Sequence, residues 1–303
     1  MHICFLCNEY PKEGFPHGGF GTFVKTIALQ LVKTGVAVSV VGINYESISE
    51  HKIEEGISIV RIKKHRVKGL SWLLNSMDIN KVLKDIHQKN PIDIIETSEL
   101  GLAFIKKIES IRYIIRLHGG HHFFAEAEKR GINKWKGFQE NRSFKKADGF
   151  IAVSEYVKKY TEKYLSYRRK VVQVISNPID TVLFSPGNRV DEIPYKIVFV
   201  GTVCEKKGVR QLIQVFQEVK PQYISSTLDI YGRDWNFPDG RSYISELRKE
   251  FSELQLDRIR FMGTIAHKEL PNIYQSAAVC VFPSHMETQG LVAPEAMAME
   301  KLV

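Results

Sequence analysis

HGGFGTFVKTIA, residues 17–28, sets Gly18, Gly19 and Gly21 between a strand-like apolar run, HICFLC at 2–7, and a stretch with helical periodicity. A strand, a glycine turn and a helix start together make an anion cradle, because unpaired backbone amides and the positive end of the helix dipole converge there. Two common phosphate fingerprints are missing. A dinucleotide loop needs G-x-G-x-x-G, and Val24 stands where the third glycine belongs; a P-loop needs Gly-Lys-Ser or Gly-Lys-Thr, which is also absent. Alone, the stretch equally fits a plain chain reversal, since glycine permits one anywhere. The segments around it decide.

Outward from this turn, short β-branched runs alternate with longer amphipathic ones. Strands are expected at 2–7, 36–43, 57–62, 92–96, 112–117, 149–153 and 171–175, with helices between most of them; the first helix stops at Gly35, a residue suited to the C-terminal turn. The proline-rich SNPIDTVLFSPGNRVDEIPY then breaks the rhythm, and a second series follows with strands at 196–201, 226–232, 259–263 and 278–284. Alternation of this kind predicts an α/β fold of two doubly wound, mostly parallel sheets. The expected division is residues 1–185, a linker at 186–194, and a second domain over 195–303. Ligands of such sheets bind beyond the carboxyl ends of the strands. The final residues, Met299 to Val303, read as the start of a further strand, so the second domain is expected to be incomplete.

Composition narrows the class. The 303 residues are 44% hydrophobic, ample for packed cores. No apolar run reaches the roughly 18 residues needed to cross a bilayer, and the N-terminus lacks a signal-peptide layout, so a cytoplasmic location is expected. Cys4 and Cys7 spell C-x-x-C inside a strand with no second pair, which reads as two buried thiols. The net charge of +9 favours anionic partners. It concentrates in RIKKHRVK at 61–68 and in YVKKYTEKYLSYRRK at 156–170, where Tyr156, Tyr160, Tyr164 and Tyr167 share a helical spacing. A solvated helix with inward tyrosines and a peripheral contact with an anionic membrane both fit that pattern. Nucleic acid is not expected, since no recognition motif accompanies the charge.

FPSHMETQGLVAPEAMAME, residues 282–300, carries the chemistry. Glu287 belongs to the loop beyond a strand, and Glu295 follows Pro294 in the first turn of a helix. The amides near Gly290, Leu291 and Val292 suit a diphosphate, although an acid at a helix start is also ordinary capping.

The pattern PS-x-x-E-x-x-G-L-V-x-x-E-A-M-A closely resembles the retaining family 4 glycosyltransferases, whose GT-B fold sets two Rossmann-like domains across a cleft. The likeness runs along nearly the whole chain: the glycine turn, LHGG at 117–120, ADGFIAVSEYV at 147–157, SNPIDTVLFSP at 176–186 and VGTVCEKKGVRQLI at 200–213 are each similar to a family segment. The resemblance implies transfer of a sugar from a nucleotide-sugar donor to a glycan or lipid-linked acceptor, with retention of configuration. It implies no cofactor and no obligatory metal. Glu287 would meet the donor sugar at the reaction centre, Glu295 the ribose and Lys207 the diphosphate, and His118 would be the catalytic histidine of the cleft, although a structural hydrogen-bonding role also fits its place after the strand. Gly19 and Gly21 would let backbone approach the donor.

Three positions depart from the family pattern. Thr202 replaces the usual arginine after the strand glycine, and a hydroxyl cannot supply a forked cation; Lys206 is the expected compensator. Gln289 replaces an aromatic residue, and Asn177-Pro178 alters the linker turn. His118, His121 and His122 form a weak metal candidate for want of neighbouring acids in the sequence. A dehydrogenase is disfavoured by the incomplete glycine motif; a nucleotide-binding remnant and a GT-B epimerase stay open.

Overall fold

The computed structural model describes residues 1–15, 18–127, 131–187 and 191–303. They form two compact units, Met1–Pro178 and Ile179–Val303. The junction lies ahead of the expected boundary at 185 because Phe184 is fully buried in the second unit, packed with Val198, Tyr274 and Cys280.

In the first unit β1 (His2–Leu6), α1 (Gly19–Lys33), β2 (Ala37–Ile43), β3 (Glu50–Glu54), β4 (Ile57–Ile62), α2 (Ser71–Lys89), β5 (Ile94–Thr97), β6 (Arg112–Leu117), α3 (His121–Ala127), α4 (Lys134–Lys146), β7 (Gly149–Ala152), α5 (Glu155–Glu162) and β8 (Val172–Val174) follow in order. The eight-stranded sheet runs β3-β4-β2-β1-β5-β6-β7-β8. Only β3 is antiparallel to its neighbour. The sequence pattern missed it because EHKIE is a charged edge strand, held by Glu50 to Lys12 and Arg61 rather than by apolar alternation. Strand order reverses between β1 and β5, so the ends of those strands frame the switch point where doubly wound sheets take ligands.

The second unit has β9 (Lys196–Val200), α6 (Val209–Val219), β10 (Thr227–Tyr231), α7 (Tyr243–Glu250), α8 (Glu253–Leu256), β11 (Ile259–Gly263), α9 (Leu270–Gln275), β12 (Val279–Cys280) and α10 (Val292–Ala298). Its parallel sheet runs β11-β10-β9-β12, with the switch between β9 and β12. β12 is only two residues long, against an expected run of 278–284, because Phe282-Pro283 turns away and Pro283 has no amide to continue a ladder. Leu302 forms an isolated parallel bridge with Val279, consistent with the strand-like character of the last residues.

Tyr156, Tyr160, Tyr164 and Tyr167 do not share one helix. α5 ends at Glu162, Tyr156 and Tyr160 pack edge-on against Phe123, and Tyr167 is buried against Phe144 and Phe150. All four cysteines are buried and unpaired, and burial pushes the Cys4 thiol up to about 12, so C-x-x-C is core. Among the described residues no helix is long and apolar enough to cross a membrane.

Candidate active site

Each unit carries a cluster of polar groups at its own switch point. In the second, the chain leaves β9 through Gly201 and Thr202, makes a short 3-10 turn at Glu205–Lys207, and enters α6 at Gly208. Gly208 has φ +70°, and a Cβ there would stand 2.0 Å from the carbonyl oxygen of Pro283. Only glycine allows this contact, which presses the loop after β9 onto the loop after β12. The amide of His285 donates to the Lys206 carbonyl across the same junction, 3.0 Å.

That junction brings two expected site residues together. Lys207 Nζ donates to Glu287 Oε1, and the Ser284 hydroxyl donates to the same oxygen at 2.9 Å. Both partners stay partly open, with side-chain exposures of 20% and 33%. A pair so accessible adds little stability, so its interest is chemical: a cation and a carboxylate held at the end of a switch-point strand, either able to exchange its partner for a ligand.

Gly290 turns the chain at φ +69°. Its neighbour Leu291 caps α10 without a side-chain hydrogen bond, and Val292 is the first helical residue. Glu295 is nearly buried, at 4% exposure. Its Oε1 lies 3.2 Å from His267 Nε2, and Oε2 accepts from the Tyr274 hydroxyl at 3.5 Å. Burial, aided by the Glu295 charge, holds the Tyr274 phenol well above its usual range. Thus Glu295 is a firmly seated carboxylate, while Glu287 is the accessible one. Thr202 is half-buried and offers a hydroxyl at the end of β9. Arg233, exposed beyond the end of the adjacent β10, is a cation the sequence reading overlooked; its place two residues past a strand was the available signal.

In the first unit, the glycines have distinct jobs. A Cβ on Gly21 would stand 1.9 Å from the Glu9 carbonyl, so glycine there lets α1 sit directly on the loop after β1. Gly18 caps the helix with no side-chain bond and no acid follows in the first turn, but the Glu9 carboxylate comes up against Gly18, so close that a Cβ there would stand 2.6 Å from its Oε2. Gly19 has open space where a side chain would be.

His118 follows β6. Its ring lies 4.8 Å from Phe20 and 5.2 Å from Phe23, centroid to centroid. Burial, reinforced by the nearby Arg116 charge, pushes the imidazole down to about 3. It is therefore neutral near pH 7, a hydrogen-bonding group and not a proton donor of the imidazolium kind. Its Nε2 is buried without a partner among the described residues.

The turn after His118 rests on two acids that no motif announced. Glu140, fully buried on α4, accepts from the amides of His121 and His122 and from the His122 ring. Glu99, beyond β5, is also buried, and burial beside Glu140 raises its carboxyl to about 8. The acids missing from the sequence neighbourhood of His121 and His122 are thus supplied by α4 and the loop after β5. Even so, among the described residues no group of three or more His, Cys, Asp or Glu can hold a metal ion.

The sequence model of Glycosyltransferase Family 4 matches residues 17–183. The chain belongs to that family. The model of Glycosyl transferases group 1 matches 194–303, which covers the second sheet and the Lys207–Glu287 cluster. An uncharacterized glycosyltransferase of Methanocaldococcus jannaschii is 25% identical over 273 residues, 86% of this chain and 68% of the relative. Glycogen synthase of Mycobacterium tuberculosis is 32% identical over 132 residues, 42% of this chain and 30% of that protein. Sucrose-phosphate synthase from Thermosynechococcus elongatus superposes with a TM-score of 0.81 at 20% identity, covering 99% of this chain and 79% of that one. The family 4 glycosyltransferase described here accordingly has the GT-B fold, with one Rossmann-like sheet in each unit.

Proposed function

We propose that this enzyme works in the cytoplasm, moving a glycosyl unit from a nucleoside-diphosphate sugar to a glycan or lipid-linked acceptor in polysaccharide or glycolipid assembly. Configuration is retained and no metal is obligatory. The observation that carries this reading is the Lys207–Ser284–Glu287 cluster at the β9/β12 switch point.

As the bond to the diphosphate breaks, negative charge gathers on the leaving group and must be met by cations and amides. Lys207 supplies the first by leaving Glu287 for phosphate. Glu287 is then released to receive donor-sugar hydroxyls. The amides of Gly290, Leu291 and Val292 share the diphosphate charge, and Glu295, kept in place by Tyr274 and His267, accepts from ribose hydroxyls. Thr202 donates one hydrogen bond where a forked cation would give more, so Lys206 or Arg233 supplies the remaining charge. In the first unit, the neutral His118 and the open backbone at Gly19 suit an uncharged sugar, whereas Gly21, expected to share that role, is taken up by its contact with the Glu9 carbonyl.

A thermal-shift titration with UDP, GDP, ADP and NAD tests the proposal. A ligand at about 100 times its Kd adds about 2.7 kcal/mol, or a few degrees. The expected result is a shift with one nucleoside diphosphate that disappears in Lys207→Ala. A shift with NAD, or with none of the four, overturns it.

A further inference from the structure

Four aromatic side chains from three elements of the first unit meet at its surface. Trp72 of α2 lies 4.5 Å from Phe104, on the loop beyond β5, and 5.5 Å from Trp135 of α4. Trp135 lies 5.7 Å from both Phe104 and Phe138. These rings do not close over one another into a core: Trp135 is 45% and Phe138 50% exposed. Leu70, Leu73 and Met77 extend the apolar surface along α2, and all three are exposed. A contiguous apolar face of this kind on a soluble unit marks a contact surface.

Charge identifies what it contacts. Lys134 and Lys136 stand on either side of Trp135, both exposed, and the exposed Lys63, Lys64, Arg66 and Lys68 lead into α2. The Arg142 guanidinium sits 5.9 Å above the Phe104 ring. The nearest acid on α2, Asp78, is already bonded to His65. Indole rings edged by long basic side chains fit the boundary of a bilayer, where the rings enter the headgroup region and the ammonium groups reach lipid phosphates. The other basic stretch offers less, since of its four tyrosines only Tyr156 is exposed, while Tyr160 packs on Phe123 and Tyr167 is buried.

We propose that the Trp72–Phe104–Trp135–Phe138 face, with the lysines beside it, docks on an anionic lipid bilayer. The proposal goes beyond the sugar-transfer reading and does not depend on the donor. Its consequence is that the enzyme can meet a lipid-linked acceptor by diffusion in two dimensions.

The sequence holds three tryptophans, so Trp235→Phe leaves Trp72 and Trp135 as the only indoles, both in the face. Vesicles of phosphatidylcholine with about one-third phosphatidylglycerol should shift this protein's emission to the blue and carry it down on sedimentation, whereas pure phosphatidylcholine should do much less. Lys134→Ala with Lys136→Ala should weaken binding by about fivefold per lysine, and about 0.5 M salt should nearly abolish it. Trp135→Ser with Phe138→Ser should reduce binding at least tenfold while the melting temperature holds. Lys158→Ala with Lys159→Ala on α5 should change little. Equal binding to both vesicle types, absence of binding, or an undiminished Trp135/Phe138 variant overturns the proposal. So does a loss in the α5 variant matching that of Lys134/Lys136, or a dimer that the Trp135/Phe138 change dissolves, which would make the face a self-association surface.

Discussion

The two switch points of this enzyme are built from opposite materials. In the first unit His118, neutral, packs against two phenyl rings at a turn pinned by buried Glu140 and Glu99. In the second, Lys207 and Glu287 form a partly exposed ion pair. The same sheet architecture therefore presents a buried neutral imidazole in one unit and an exchangeable pair of charges in the other. On the proposed function, the charged pair suits a diphosphate, which calls for cations.

The largest effect should come from breaking the charged half. Glu287→Ala should lower transfer by about a thousandfold or more, the scale of losing a principal electrostatic contact at a reacting centre. Folding should hold, because the side chain is one-third exposed and its loss frees Lys207 to water. Lys207→Ala should lose about a hundredfold, mostly through donor binding. Circular dichroism and melting curves check the fold, and steady-state kinetics check the rest. If Glu287→Ala keeps near-normal turnover, the accessible acid is not at the reaction centre and the contrast fails.

Breaking the neutral half should cost less. His118→Asn keeps a hydrogen-bonding side chain at the end of β6 but shortens its reach, so transfer should fall by about tenfold, the worth of one neutral hydrogen bond. The more pointed readout is pH. Because burial holds the imidazole near 3, it stays neutral from about pH 5 to 8, and the wild-type rate should show no ionisation in that range that the variant lacks. A wild-type pH step near 6.5 that vanishes in His118→Asn would place a charged histidine in the reaction and erase the distinction between the units.

How much of this could be read in the sequence follows from the range of the forces involved. Both α/β units, the glycine turn and the end of β9 were legible because hydrophobic periodicity and glycine turns are local signals. Lys207 and Glu287 were named separately, but their contact depends on Gly208 touching Pro283 across dozens of intervening residues. Glu99 and Glu140 went unread for a sharper reason: a buried acid, on the loop after β5 or on the amphipathic α4, looks like any solvated acid until the fold places backbone amides over it. The charged strand β3 and the break of α5 at Glu162 were missed because tertiary partners, not propensity, decide them.

Glu99 gives the smallest effect and the finest test of how the neutral half is held. Unfolded, its carboxyl ionises near 4.5; folded, burial beside Glu140 raises it to about 8. Between those values the folded chain keeps a proton that the unfolded chain has released, so stability from this residue falls as pH rises from about 5 to 8. Below the window both states are protonated, and above it the penalty is constant. Glu99→Gln has the same shape and no proton to lose. Its melting temperature should therefore gain on the parent by a few degrees across that window, with little difference at pH 4. His118 acts in the reverse sense, losing stability as pH falls from about 6.5 towards 3, but it is present in both proteins and cancels in the difference. Parallel melting curves for parent and variant would mean that Glu99 is already ionised in the fold, and that the turn beneath His118 carries its charge at neutral pH.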